Sequence, residues 1–213
     1  MINRPQPPSS GGLTELAANY RFDLARRHSL TITIEGRQFR VFPQKYLYIS
    51  ASSPRELCLF RGMSSVSIDV ATGTAKDVPN LKAATSSGPA PRRLDEFLWH
   101  LGYNARSGRL LPWLDDQRAF RLTRWPPVVR HGNDSTLVKL GTLMARRTLR
   151  PVDLSLALGY DIEGISDFLN GCSLVGCIES MKASDAPVPL GPSAKDPAFA
   201  SLLGRIRVKL GLT

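Results

Sequence analysis

The alternation of apolar and polar positions divides the chain into stretches with different periods. Leu13, Leu16, Ala17 and Tyr20 fall at helical spacing and predict a short helix over 13–27. The period then drops to two. SLTITI (29–34) and RQFRVF (37–42) flank Glu35-Gly36, which predicts a β-hairpin. KYLYIS (45–50) and SVSIDV (65–70) read as further strands, and PRELCLF (54–60) fits either a short helix or a strand. Residues 80–91 hold Ala, Thr, Ser, Gly and Pro and read as a loop. RRLDEFLWHL (92–101) puts Leu94, Phe97, Leu98 and Leu101 on one helical face, with Gly102 as its stop. Residues 109–114 and 117–125 read as connectors, and Pro126-Pro127 breaks regular structure.

The pattern is sharpest after residue 134. Asp134 or Ser135 caps a helix carrying Leu137, Leu140, Leu143 and Met144. Pro151 suits the first position of the next helix, in which Leu154, Ala157 and Leu158 are expected to face inward and which Gly159 ends. Asp161 caps a third helix with Ile165, Phe168, Leu169 and Cys172 on one face. Leu174 to Ile178 is then expected to open a β-hairpin wing. The Pro start, the Gly159 turn and the apolar sets of helices two and three make this run resemble the bacterial winged-helix form of the helix-turn-helix, over residues 134–182. Beyond a linker with Pro187, Pro189 and Pro192, Asp196-Pro197 starts a tail helix with Phe199, Leu202, Leu203, Ile206 and Leu210 on one face.

The expected architecture is therefore α+β. It comprises a leader (1–12), a small mixed α/β unit (13–115), a winged-helix-like domain (116–182), a linker (183–196) and an amphipathic helix (197–213).

Charge changes what the resemblance implies. The net charge is +10, distributed as +4 over 1–50, +1 over 51–100, +7 over 101–150 and −2 beyond. The basic band holds Arg121, Arg124, Arg130, Lys139, Arg146, Arg147 and Arg150. Such a band suits phosphate or an acidic protein face, or merely solvates a surface. The winged-helix resemblance implies a third helix that reads DNA in the major groove. Here the polar residues expected on that helix's outer face are Glu163, Gly164, Ser166, Asp167 and Asn170. Two are carboxylates, which repel a phosphate lattice, and none is Lys or Arg. A protein partner for Glu163, Ser166, Asp167 and Asn170 is the first expectation and DNA the second. The tail helix suits docking on its own core or in a partner's groove better than a membrane.

Catalytic chemistry has little to stand on in the sequence. His28, His100 and His131 belong to no ligand or triad spacing, and neither a P-loop nor a G-x-S-x-G elbow occurs. Asp115-Asp116 reads as a solvated pair in a connector. Trp113, Trp125 and Arg121 suit base stacking or the junction of two units. Cys58, Cys172 and Cys177 are too few and too isolated for a metal set, and the latter two read as small core residues. The expectation is a non-enzymatic regulatory or adaptor protein of the bacterial cytoplasm. It needs no cofactor, metal or small-molecule substrate, and its apolar runs are too short to span a bilayer.

Overall fold

A computed structural model describes residues 12–27, 29–60, 66–69, 89–106, 108–127 and 134–182. Helix α1 (Leu13–Phe22) precedes a hairpin of β1 (Leu30–Ile34) and β2 (Arg37–Phe42). Glu35 and Gly36 both take positive φ, 47° and 76°. That is the backbone a two-residue turn needs to match strand twist, and it places a non-glycine residue in the left-handed region. Strands β3 (Leu47–Ile49), β4 (Val66–Asp69) and β5 (Arg92–Arg93) complete an antiparallel sheet in the order β4-β1-β2-β3-β5. The ambiguous run Pro54–Phe60 is a 3₁₀ helix.

Helix α2 (Leu94–Asn104) is the pivot of the molecule. Towards the sheet, Phe97 meets Phe39 and Tyr48 with ring centroids 5.0 and 5.8 Å apart. On another side, Trp99 meets Phe168 edge-on at 5.5 Å. A helix with apolar cover on both sides is buried nearly all round, which explains why Leu94, Phe97, Leu98, Trp99 and Leu101 are all inaccessible. Gly102 does not stop the helix as expected. It lies inside α2 where α5 crosses, and a Cβ there would meet the main-chain oxygen of Asn170 at 2.6 Å. The glycine is required by close approach rather than by a turn.

The second half begins with β6 (Ala119–Leu122), in a stretch the pattern suggests is a connector. Then come α3 (Ser135–Arg146), α4 (Pro151–Leu158), α5 (Ile162–Val175) and β7 (Ile178–Met181). The caps are as expected. Asp134 accepts from the Thr136 and Leu137 N–H groups, Gly159 takes a left-handed conformation, and Asp161 accepts from the Gly164 N–H at 2.6 Å. The expected wing is corrected, because Leu174 and Val175 are still helical. Gly176 closes α5 at φ 73°, and the Cys177 N–H donates to the Cys172 carbonyl at 2.9 Å. The partner of β7 is β6, ahead of the three helices, with Ala119 opposite Met181 and Leu122 opposite Ile178. Phe120 also bridges Leu149.

Among the described residues one continuous apolar cluster runs from Leu13 to Cys177. It crosses the boundary expected at residue 115, with α2 shared by the sheet and α5. No described helix is long and apolar enough to cross a membrane. The leader up to Gly11, His28, His131, Arg130, the linker and the tail helix residues Phe199, Leu202, Leu203, Ile206 and Leu210 lie outside the described residues.

Candidate functional site: a groove beside the second and third helices

The third helix does not present the polar face expected of it. Glu163 is exposed, but Ser166, Asp167 and Asn170 are buried. The reason is a loop, residues 108–113, that lies along α5 and consumes its polar positions. Asp167 Oδ1 accepts from the Gly108 N–H at 2.9 Å. Asn170 Oδ1 accepts from the Leu111 N–H and its Nδ2 donates to the Arg109 carbonyl, both at 2.8 Å. Ser173 Oγ accepts from Trp113 Nε1 at 2.6 Å. Ser166 Oγ donates back to the Ile162 carbonyl at 2.8 Å. Residues 167, 170 and 173 recur every three positions, so they form one stripe on the helix. Buried main-chain groups need partners, and this stripe supplies them to a loop that has no strand neighbour.

Trp113 is fixed at this junction. Phe22 packs edge-on against it at 5.7 Å, and the Arg21 guanidinium lies 5.3 Å from its ring centroid. Arg21 also donates to the Ser173 carbonyl at 3.3 Å, near the C-terminus of α5, where a cation complements the helix dipole. Trp125 is half exposed and covers Gly141 of α3. The two tryptophans therefore occupy different places, and Arg121 is exposed on β6 opposite Glu179.

The basic band is likewise dispersed. Arg124 donates to the Val175 carbonyl at the end of α5. Arg150 binds Asp153 through Nε and Nη2 at 2.9 and 3.1 Å, and its own N–H reaches the same carboxylate, which caps α4. The guanidinium holds the Asp153 carboxyl below the usual carboxylate range, and the carboxylate raises Arg150 in turn. Lys139, Arg146 and Arg147 are exposed on or just after α3.

What α4 exposes is apolar. Leu154 is buried as expected, but Ala157 is exposed rather than inward-facing. Leu156 is 80% exposed and Val152 46%, and Ile162 at the start of α5 is 45% exposed. Beside them a groove of about 800 Å³ runs between α4, the start of α5 and the 108–117 loop. Leu110, Leu114, Val152 and Ile162 contribute its apolar lining, and Asp115 and Asp116 its acidic rim. Arg109 and Arg150 line it as well. The signal for this groove was present in the sequence of α4. PVDLSLAL carries apolar residues all round an eight-residue helix, more than one buried face absorbs.

Cys172 and Cys177 are buried free thiols, with Cys177 Sγ donating to the Cys172 carbonyl at 3.3 Å. Burial pushes the Cys172 thiol well up, which suits a core residue and not a nucleophile. Cys58 is exposed. Among the described residues no group of His, Cys, Asp and Glu is arranged to hold a metal ion. No family model, curated protein or solved structure matches this chain.

Proposed function

We propose that this protein is a non-enzymatic adaptor or regulatory protein of the bacterial cytoplasm. In this reading residues 134–182 form a winged-helix module that binds another protein. The observation that carries the reading is the contrast between the two helices. The polar stripe of α5 is committed to the chain's own 108–113 loop, while α4 and the start of α5 expose Val152, Leu156 and Ile162 beside a groove with an apolar wall and charged edges. A DNA reader needs the reverse, with free hydrogen-bonding side chains and cations on the helix that enters the groove. An exposed apolar set flanked by charges has the composition of a protein interface centre with a polar rim.

The test combines capture and substitution. Tagged protein is used to capture partners from a native bacterial lysate with and without nuclease, in wild-type form and as Val152→Asp/Leu156→Asp. The reading expects a stoichiometric protein partner that survives nuclease and is lost with the double variant, while the thermal midpoint stays within about 2 °C because exposed substitutions cost little. DNA reading is the alternative, supported by exposed Lys139, Arg146 and Arg147. It expects duplex binding with a steep salt dependence that weakens when these three are neutralised. Tight duplex binding indifferent to Val152 and Leu156 would overturn the protein-partner reading.

A further inference from the structure

We propose that the groove beside α4 is a docking site for this chain's own tail, residues 197–213. Three observations converge on that occupant. The first is where the chain leaves the described fold. Met181 is paired with Ala119, two residues beyond Gln117, which lines the groove with Asp115 and Asp116. The chain therefore leaves the described fold, after Lys182, near the groove. The 14 residues 183–196 span at most about 50 Å if fully extended, ample to return along a neighbouring face.

The second is shape chemistry. The groove offers Leu110, Leu114, Val152 and Ile162. The tail sequence offers Phe199, Leu203, Ile206 and Leu210 at i, i+4, i+7 and i+11, one ridge if helical. An apolar ridge laid against the apolar wall of a groove is a common mode of helix recognition.

The third is charge. The tail carries Arg205, Arg207 and Lys209 and no carboxylate side chain after Asp196. Asp115 and Asp116 accept hydrogen bonds from Gln117, and among the described residues neither has a cationic partner. Arg109 and Arg150 line the groove as well, with Arg150 held by Asp153, so the edge formed by Asp115 and Asp116 is the side of the groove that suits a basic segment. A tether of this length supplies an effective concentration on the order of millimolar, so even a weak match keeps the groove occupied.

The functional consequence rests on the protein-partner reading. The tail covers the same surface that α4 would offer to a partner, so the partner must displace it, and the protein is restrained by its own C-terminal segment.

The docking is tested without any partner, by hydrogen exchange on the full chain read by mass spectrometry. Wild type is compared with Leu203→Asp/Ile206→Asp and with the charge reversal Arg205→Glu/Arg207→Glu/Lys209→Glu, each at two protein concentrations tenfold apart. The expected result is that both variants speed exchange of the α4 amides at least threefold, equally at both concentrations, while α2 amides do not change. Unchanged α4 exchange overturns the proposal. Protection that grows with concentration also overturns it and assigns the groove to a second copy of the chain. Because no partner is present, failure here leaves the protein-partner reading standing, and failed capture leaves the docking result standing.

Discussion

Asn170 binds main chain with both ends of its amide, and it is wholly buried. Replacing it with Ala leaves the Leu111 N–H and the Arg109 carbonyl without partners. The Leu111 N–H is the buried one of the two, and a buried orphan costs roughly 1–3 kcal/mol, so Asn170→Ala is expected to lose about 1–3 kcal/mol in urea unfolding. Glu163, on the exposed turn of the same helix, is expected to tolerate Ala within about 0.5 kcal/mol. If the two substitutions cost the same, the stripe does not hold the loop. The residue types of α5 were legible in the sequence, but their direction was not. A polar residue three positions from the next reads equally as an outward recognition face or as an inward set of hydrogen-bond partners. The choice is made by residues 108–113, some 60 positions earlier, and periodicity within the helix carries no trace of them.

Between elements, the closest approach is α2 on α5. A Cβ on Gly102 would stand 2.6 Å from the main-chain oxygen of Asn170, and one on Gly171 2.8 Å from the Trp99 ring. In an exposed helix Gly→Ala is worth about 1 kcal/mol of stability. Here the helix backbones must separate, and overpacking of this kind costs about 1–3 kcal/mol, so Gly102→Ala is expected to lower the thermal midpoint. Gly141→Ala is the contrast. Its Cβ would meet Trp125 at 2.7 Å, but that ring is half exposed and free to swing away, so the helix gain offsets the contact and the midpoint stays nearly unchanged. Local signals recovered most elements: the Glu35-Gly36 hairpin, the Asp134 and Asp161 caps, Pro151 and the Gly159 turn. They failed at Gly102, because a glycine that admits a neighbouring helix looks the same as one that ends its own. They failed also at β6, because AFRL is too short to show alternation and gains its identity from β7, almost 60 residues on.

At the scale of the whole molecule, buried protons set the pH range of stability. Burial raises Tyr20 and Tyr48 well above the usual phenol value, and raises the Cys172 thiol too. In the unfolded chain these groups lose protons from about pH 8.5 for the thiol and about pH 10 for the phenols, while the folded chain retains them. Stability is thus full below those values and is expected to fall as pH rises through them. The carboxyls of Glu56 and Asp153 are lowered by Arg37 and Arg150, so their contribution is present above about pH 4 and is lost as pH falls below it. Thermal midpoints from pH 3 to 11 should show a plateau with both shoulders, and Tyr20→Phe should lift the alkaline one. A flat alkaline limb would mean that these groups are not buried in solution. The groove belongs to this scale as well. Its walls come from a loop, α4 and α5, which sequence reading treats as separate, and only the excess of apolar residues on α4 announced it.

The sharing of α2 also governs how the molecule is made. On the ribosome, Gly102 of α2 emerges nearly 70 residues before Asn170 and Gly171, which cover it. At ordinary synthesis rates that interval lasts roughly 3–14 s. For that time the nascent sheet and α2 hold an uncovered flank on which Trp99 has no Phe168. The first half of the chain therefore waits, unfinished, for the second, and native structure closes over both only once α5 is out. The glycine that lets two helices touch thus ties an earlier-made part of the protein to one made well after it.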